Sequence, residues 1–275
     1  MYPRMTDGCL SMRFVRDRTG HTRLAERRQC YPLTTTAVLP LDHGPGALIY
    51  VQNAAGSVFG GDHLNLEMHL EEGAALCMST PSATRLQGDA LSVQHMQVSV
   101  GRDAFFESIP DMLISHPGAV HRQQTQIDLA DGAGAIVAES LAPGRVARGE
   151  RHVYGSISLR LQASFGGTVV LRDGSTFRPE EADPALEGSL GREGYMGSLF
   201  ALAQTGRAED LAECIDAALA KLPGVYGGAS VLASRHGAVA RFLAGEATLL
   251  RQATHLAWDA ARRCMRGLPA PILRK

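Results

Sequence analysis

Residues 60–85 read GGDHLNLEMHLEEGAALCMSTPSATR, and this stretch decides the fold. Leu64, Leu66, Met68 and Leu70 alternate with His63, Asn65, Glu67 and His69, so an extended chain presents one apolar and one polar face. A strand with a fully polar second face predicts antiparallel pairing with its neighbours. Glu71-Glu72-Gly73-Ala74 then supplies a tight reversal, and the next apolar run ends in the hydroxyl-rich turn Ser79-Thr80-Pro81-Ser82-Ala83-Thr84-Arg85. Nothing in the stretch places a nucleophile beside a base.

The same form returns twice. Leu70-Glu71-Glu72-Gly73-Ala74 is matched by Val100-Gly101-Arg102-Asp103-Ala104 and by Leu129-Ala130-Asp131-Gly132-Ala133, at spacings of 30 and 29 residues. Each following run closes in a similar turn, Ser108-Ile109-Pro110-Asp111 and Ser140-Leu141-Ala142-Pro143-Gly144. Self-similarity at a fixed period predicts stacked supersecondary units that bury their faces on one another. Successive hairpins in a sandwich would repeat their turns by geometry alone, so the sequence leaves both pairings open.

Outward from this centre, Leu91, Val93, Met96, Val98 and Val100 change phase midway, which predicts a β-bulge near Gln94 and His95. Residues 156–161 alternate, turn at Gly166-Gly167 and resume at 169–171, and the charged, Gly- and Pro-containing residues 172–184 predict a loop. On the N-terminal side, strands are expected at 10–15 and 22–25, with a buried one at 47–51. Past Gly191 the texture shifts. Leu211, Ile215, Ala218, Leu219 and Leu222 predict a helix over 208–222, and residues 229–243 predict a hairpin turning at His236-Gly237. Leu249, Leu250, Ala253, Leu256, Ala257 and Ala260 predict a closing helix over 246–265. The expected fold is mainly β (α+β): stacked antiparallel or helix-like β-strand units forming a two-sheet body over 1–190. A small C-terminal α/β part with two helices follows over 191–275, the whole forming one continuous domain.

Composition narrows the function. The 275 residues carry a formal net charge of −1 and 5% aromatics, which argues against nucleic acid. Five widely spaced cysteines with no Cys-x-x-Cys give no disulfide framework or zinc site. The N-terminus lacks a signal-peptide apolar run, and no membrane span is visible. A soluble cytoplasmic protein is expected.

His63, Glu67 and His69 share one strand face, about 6–7 Å apart per two-residue step. They cannot close a compact metal site alone, so a solvated face is expected. His116 and His121 flank Pro117-Gly118 in a predicted loop, and Cys77 should pack as a small hydrophobe. The acidic residues Asp62, Glu107, Asp111, Glu139 and Glu150 fall at or beside turns that end strands. If the units stack, these turns gather into a carboxylate-lined opening, which would hold cations weakly and exchange them quickly. There is no Gly-x-Ser-x-Gly, phosphate loop, His-Glu-x-x-His or dinucleotide fingerprint.

Taken in order, the motifs resemble the UreD (UreH) family of urease accessory proteins over about residues 10–272. Gly60-Gly61-Asp62-His63-Leu64 resembles its Gly-Gly-Asp-x-Leu, and 79–85 resembles its Thr-Thr-x-Ala-Ala-Thr-Lys/Arg. Ile109-Pro110-Asp111-Met112-Leu113-Ile114 resembles a Leu-Pro-x-Pro-x-Ile segment followed by Ala119 and Gln124. Gly144-Arg145 with Gly149-Glu150 resembles Gly-Arg-x-x-x-Gly-Glu, and Gly194-Tyr195 and a closing helix with a basic end also agree. Ser79, Ser82 and Met112 depart from the commoner residues, and Ile272-Leu273-Arg274 lacks a tryptophan often found near the end.

The resemblance implies a non-catalytic maturation factor that binds the urease structural subunits and UreF, and through UreF the GTPase UreG. It implies an internal, transient route for nickel with no tightly bound cofactor. Carried onto this chain, the route candidates are Asp62, Thr80, Ser82, Asp111 and Glu150 inside matched motifs, and Glu139 beside one. A nickel-storing metallochaperone, or a metal-dependent hydrolase using His63, Glu67 and His69, are the alternatives.

Overall fold

The computed structural model describes residues 7–41, 44–204 and 206–273. Residues 1–6, part of the N-terminus expected to lack a signal peptide, and the basic end Arg274-Lys275 lie outside the described residues. The chain opens with β1 (Asp7–Arg16), β2 (Thr22–Cys30), β3 (Leu33–Thr35), β4 (Leu39–Pro40), β5 (Ala47–Asn53) and β6 (Val58–Phe59). A winding section follows: β7 (His63–Leu70), β8 (Ala75–Ser79), β9 (Thr84–Gln87), β10 (Leu91–Val100), β11 (Phe105–Ile109), β12 (Leu113–Ser115), β13 (Val120–Leu129) and β14 (Gly134–Ala142). Then come β15 (Ser156–Phe165), β16 (Thr168–Phe177), β17 (Tyr195–Leu202), α1 (Ala208–Leu219), β18 (Val225–Val231), β19 (Gly237–Ala244) and α2 (Ala247–Arg266). The fold is mainly β, with two sheets and two helices near the C-terminus.

The corners explain why the strands alternate between sheets. Gly73, Asp103 and Gly132 occupy the left-handed region at φ 68, 54 and 69°, a conformation that Gly adopts freely and Asp tolerates. In each corner the residue after it donates its N–H back three residues: Ala74 to Glu71, Ala104 to Gly101, Ala133 to Ala130, at 3.1, 3.1 and 3.2 Å. Successive corners also bond to one another, Gly73 N–H to the Arg102 carbonyl and Asp103 N–H to the Asp131 carbonyl. Ala74, Ala104 and Ala133 are at most 3% exposed, so only a small side chain fits inside each bend.

Each corner therefore carries the chain from the first sheet to the second instead of folding it back beside itself. The next strand of the same sheet arrives one winding later, running in the same direction. His63 lies beside Val93 and Leu91 beside Val120, both in parallel register. This corrects the antiparallel pairing expected for His63–Leu70, whose neighbours β1 and β10 both run parallel to it. Glu71–Ala74 is likewise a bend between sheets and not a hairpin reversal. Antiparallel pairs occur at the flanks, β1 with β2, β15 with β16, and β14 through β17 and β19 to β18. The first sheet runs β16-β15-β13-β10-β7-β1-β2, and the main path of the second runs β18-β19-β17-β14-β11-β8-β5-β3.

The second sheet is sandwiched, which is why its strands are continuous apolar runs. Along β14, Ala135, Val137 and Leu141 face the first sheet, whereas Ile136, Ala138 and Ala142 face the helices. All nine β14 residues are buried. The layers are sheet, sheet and helix.

Four local expectations change. β10 keeps unbroken register with β7 and β13, so no bulge forms at Gln94 and His95; Ser92 and Gln94 simply point inward in phase with Met96, Val98 and Val100. The stretch 172–184 is strand as far as Phe177, because it pairs antiparallel with β15. The first helix ends at Leu219, before residues 220–222. The buried stripe of α2 is also rotated from the expected one: Leu250, Ala253, Thr254, Ala257, Trp258, Ala261 and Arg262 are buried.

That stripe is fixed by a charge. Glu107, on the helix side of β11 and 2% exposed, accepts from Trp258 Nε1 at 2.6 Å and from Arg262 Nε at 3.2 Å. Burial pushes its carboxyl up, and Arg262 and Trp258 oppose the shift. Glu107→Gln leaves the Arg262 guanidinium buried without its counter-charge. A loss of about 3 kcal/mol or more is expected, read as a lowered urea midpoint at unchanged slope.

Candidate functional site

A cavity of about 90 Å³ lies between the two sheets. Three of the residues selected from sequence line it: Thr80 after β8, Asp111 after β11, and Glu139 on β14. Glu139 points between the sheets because it shares the alternation of Ala135, Val137 and Leu141. Opposite, Gln94 and Gln123 stand side by side in the parallel register of β10 and β13, their amides 3.5 Å apart, with Thr125 two residues on.

Glu139 is 7% exposed, and its Oε1 has no hydrogen-bond partner. Burial raises its pKa to about 7; Asp173 adds to the rise, and Arg241 and a hydrogen bond from Gln123 oppose it. Arg241 is engaged elsewhere, with Asp173 and Ser198. Asp111 is better satisfied. Its carboxylate accepts from Arg251 Nε at 3.0 Å, Arg251 Nη2 at 3.2 Å and Met112 N–H at 2.8 Å. Its own N–H donates to Thr80 Oγ1 at 2.9 Å.

A second cavity of about 340 Å³ lies between the second sheet and α2, walled by Leu250, Arg251, His255 and Trp258. Pro110, Asp111 and Ser140 line both spaces. The chain geometry explains the shared wall. Glu139 and Ser140 are successive strand residues and face opposite sides of the sheet, while Asp111 sits just past the end of β11, where the sheet wall stops. The oxygens of Thr80, Asp111, Glu139 and Ser140 are thus set among mainly apolar walls.

The other selected residues lie apart from both cavities. Asp62 is 5% exposed and its Oδ2 accepts from Phe59 N–H at 2.9 Å, a turn-closing bond. Ser82 is exposed. Glu150 forms a two-pronged pair with Arg145 at 2.6 and 2.7 Å, which holds its carboxyl below the usual range. His63, partly exposed, faces Asp7 at 3.7 Å, and Glu67 and His69 are exposed. Among the described residues no group of three or more His, Cys, Asp or Glu is placed to hold a metal ion. His121 is not in a loop but in β13, 2% exposed, with Nδ1 2.9 Å from Ser92 Oγ; burial pushes its pKa down to about 4. Sequence reasoning missed Ser92, Gln94, His121, Gln123 and Thr125 as inward-facing polar residues. The phase break in β10 was their signal.

Fold and site together define a class: a wound two-sheet β protein, covered on one side by helices, with a mainly apolar interior cavity that a few oxygen-bearing side chains enter. The chain belongs to the UreD urease accessory protein family, whose model matches residues 6–275. It is 32% identical over 266 residues to urease accessory protein UreD of Mycolicibacterium gilvum, covering 95% of this chain and 96% of that protein. It is 32% identical over 276 residues to urease accessory protein UreD 2 of Streptomyces griseus, covering 98% and 93%. The UreD protein of Haloarcula marismortui is 29% identical over 272 residues, covering 98% and 90%.

The raised pKa of Glu139 has a sign. Its folded state holds the proton more tightly than the unfolded chain, whose carboxyl titrates near 4.5. This group therefore favours folding fully below pH 4.5, and that contribution is lost as pH rises through about 7. Urea unfolding from pH 4.5 to 7.5 should show Glu139→Gln gaining stability relative to the unsubstituted chain as pH rises.

Proposed function

We propose that this protein is a non-catalytic factor in urease maturation, which scaffolds the urease structural subunits with UreF and, through UreF, the GTPase UreG, and which passes nickel toward the urease active site. Family membership supports the role in urease maturation. The observation that carries the nickel reading is a pair of cavities whose walls share Pro110, Asp111 and Ser140, with Glu139, whose Oε1 is unpartnered, in the wall of the inner one. Nickel here is cargo. A conduit must bind it weakly, since a strong site would trap it, and oxygen donors spaced along a path give weak, fast-exchanging contacts.

The scaffold and conduit parts separate experimentally. Tagged protein co-expressed with the urease operon should recover the urease subunits, UreF and UreG; recovery of none of them overturns the scaffold. A Glu139→Gln/Asp111→Asn double variant should still recover them but lower the nickel content and specific activity of urease about tenfold, the effect of roughly 1.4 kcal/mol at a rate-limiting step. Full nickel loading in that variant overturns the conduit. Stoichiometric nickel retained by the isolated protein after gel filtration would favour the storage alternative instead.

A further inference from the structure

Cys9 and Cys30 are 21 positions apart in sequence, yet they are direct partners in the antiparallel register of β1 and β2. Directly opposed residues of an antiparallel pair have Cα atoms about 4.5–5.5 Å apart, inside the roughly 4.4–6.8 Å range that a disulfide spans. The Cys30 thiol beside it, together with burial, raises the pKa of the Cys9 thiol. Cys30 is exposed on β2, the edge strand of the first sheet, and Cys9 is partly exposed. Neither is in a disulfide. Cys214 on α1 and Cys264 on α2 also interact through their thiols, but no strand register sets their backbones at bridging distance. Cys77 is fully buried.

We propose that Cys9 and Cys30 form a dithiol modification site that reacts with low-molecular-weight disulfides and closes reversibly to an intramolecular disulfide. Cys30, the exposed member, attacks one sulfur of the small disulfide as its thiolate; a mixed disulfide forms and one small thiolate leaves. Cys9, opposite on β1, then attacks the Cys30 sulfur, and the second small thiolate leaves. Both protein thiols lose their protons to water or to the departing thiolates. The protein pair is oxidised by two electrons and the small disulfide is reduced to two thiols. The bond would tie the end of β2 to β1 just before the chain crosses to the second sheet at Leu33, which lines the interior cavity.

The test uses the full chain, reduced and then incubated with oxidised glutathione, blocked with N-ethylmaleimide, digested and mapped by mass spectrometry. The expected product is a Cys9–Cys30 linked peptide without retained glutathione, reopened by dithiothreitol, while Cys77 stays a thiol. Cys9→Ser should convert the product into a lasting glutathione adduct on Cys30. Cys30→Ser should abolish linkage. A lasting glutathione adduct on Cys30 of the unsubstituted chain, or both thiols unreacted while accessible cysteines of a denatured control react, overturns the proposal.

Discussion

The structure depends on one bend. A left-handed residue at Gly73, Asp103 and Gly132, followed each time by a buried alanine, turns the chain from one sheet into the other at nearly constant spacing. Because each bend bonds to the next, the windings stack in parallel. The consequence reaches the interior. A constant winding length puts equivalent residues of successive windings side by side, so Gln94 meets Gln123 and Ser92 meets His121. Polar groups that would be costly singly are thus grouped where they can satisfy one another.

Much of this was legible. The alternation of His63–Leu70, the spacing of the three corners and both helices follow from periodicity and turn chemistry, which are local properties. Pairing direction was not legible, because a half-solvated strand is compatible with either direction and only the path through the corner decides. The phase break in Leu91–Val100 reads in sequence as a bulge, whereas in the fold it marks inward-facing polar residues in an unbroken strand. A bulge and a pair of inward polar residues write the same pattern in one strand; Gln123, lying opposite Gln94 in the next winding, distinguishes them only once the register is known.

The candidate site was half legible for a related reason. Thr80, Asp111 and Glu139 reach the cavity because each sits on or just past a strand of the second sheet at the same end of the windings. Ser82 and Glu150 come from matching motifs, but Ser82 is exposed and Glu150 is held by Arg145. Trp258 and Arg262 were hidden because their burial answers to Glu107, a residue about 150 positions away that no periodicity of the helix announces. Their clamp holds α2 over the second sheet, and α2 in turn supplies Arg251 to Asp111, which lines both cavities. The helix layer thus belongs to the site as well as to the fold.

The central claim is that the interior oxygens form a path for a divalent ion. Crystals soaked in nickel and measured at its absorption edge test it most directly. The account predicts partially occupied anomalous peaks between Glu139 and Asp111, lost from Glu139→Gln/Asp111→Asn crystals. Peaks confined to surface positions such as His63 and His69, with none between the sheets, would contradict it.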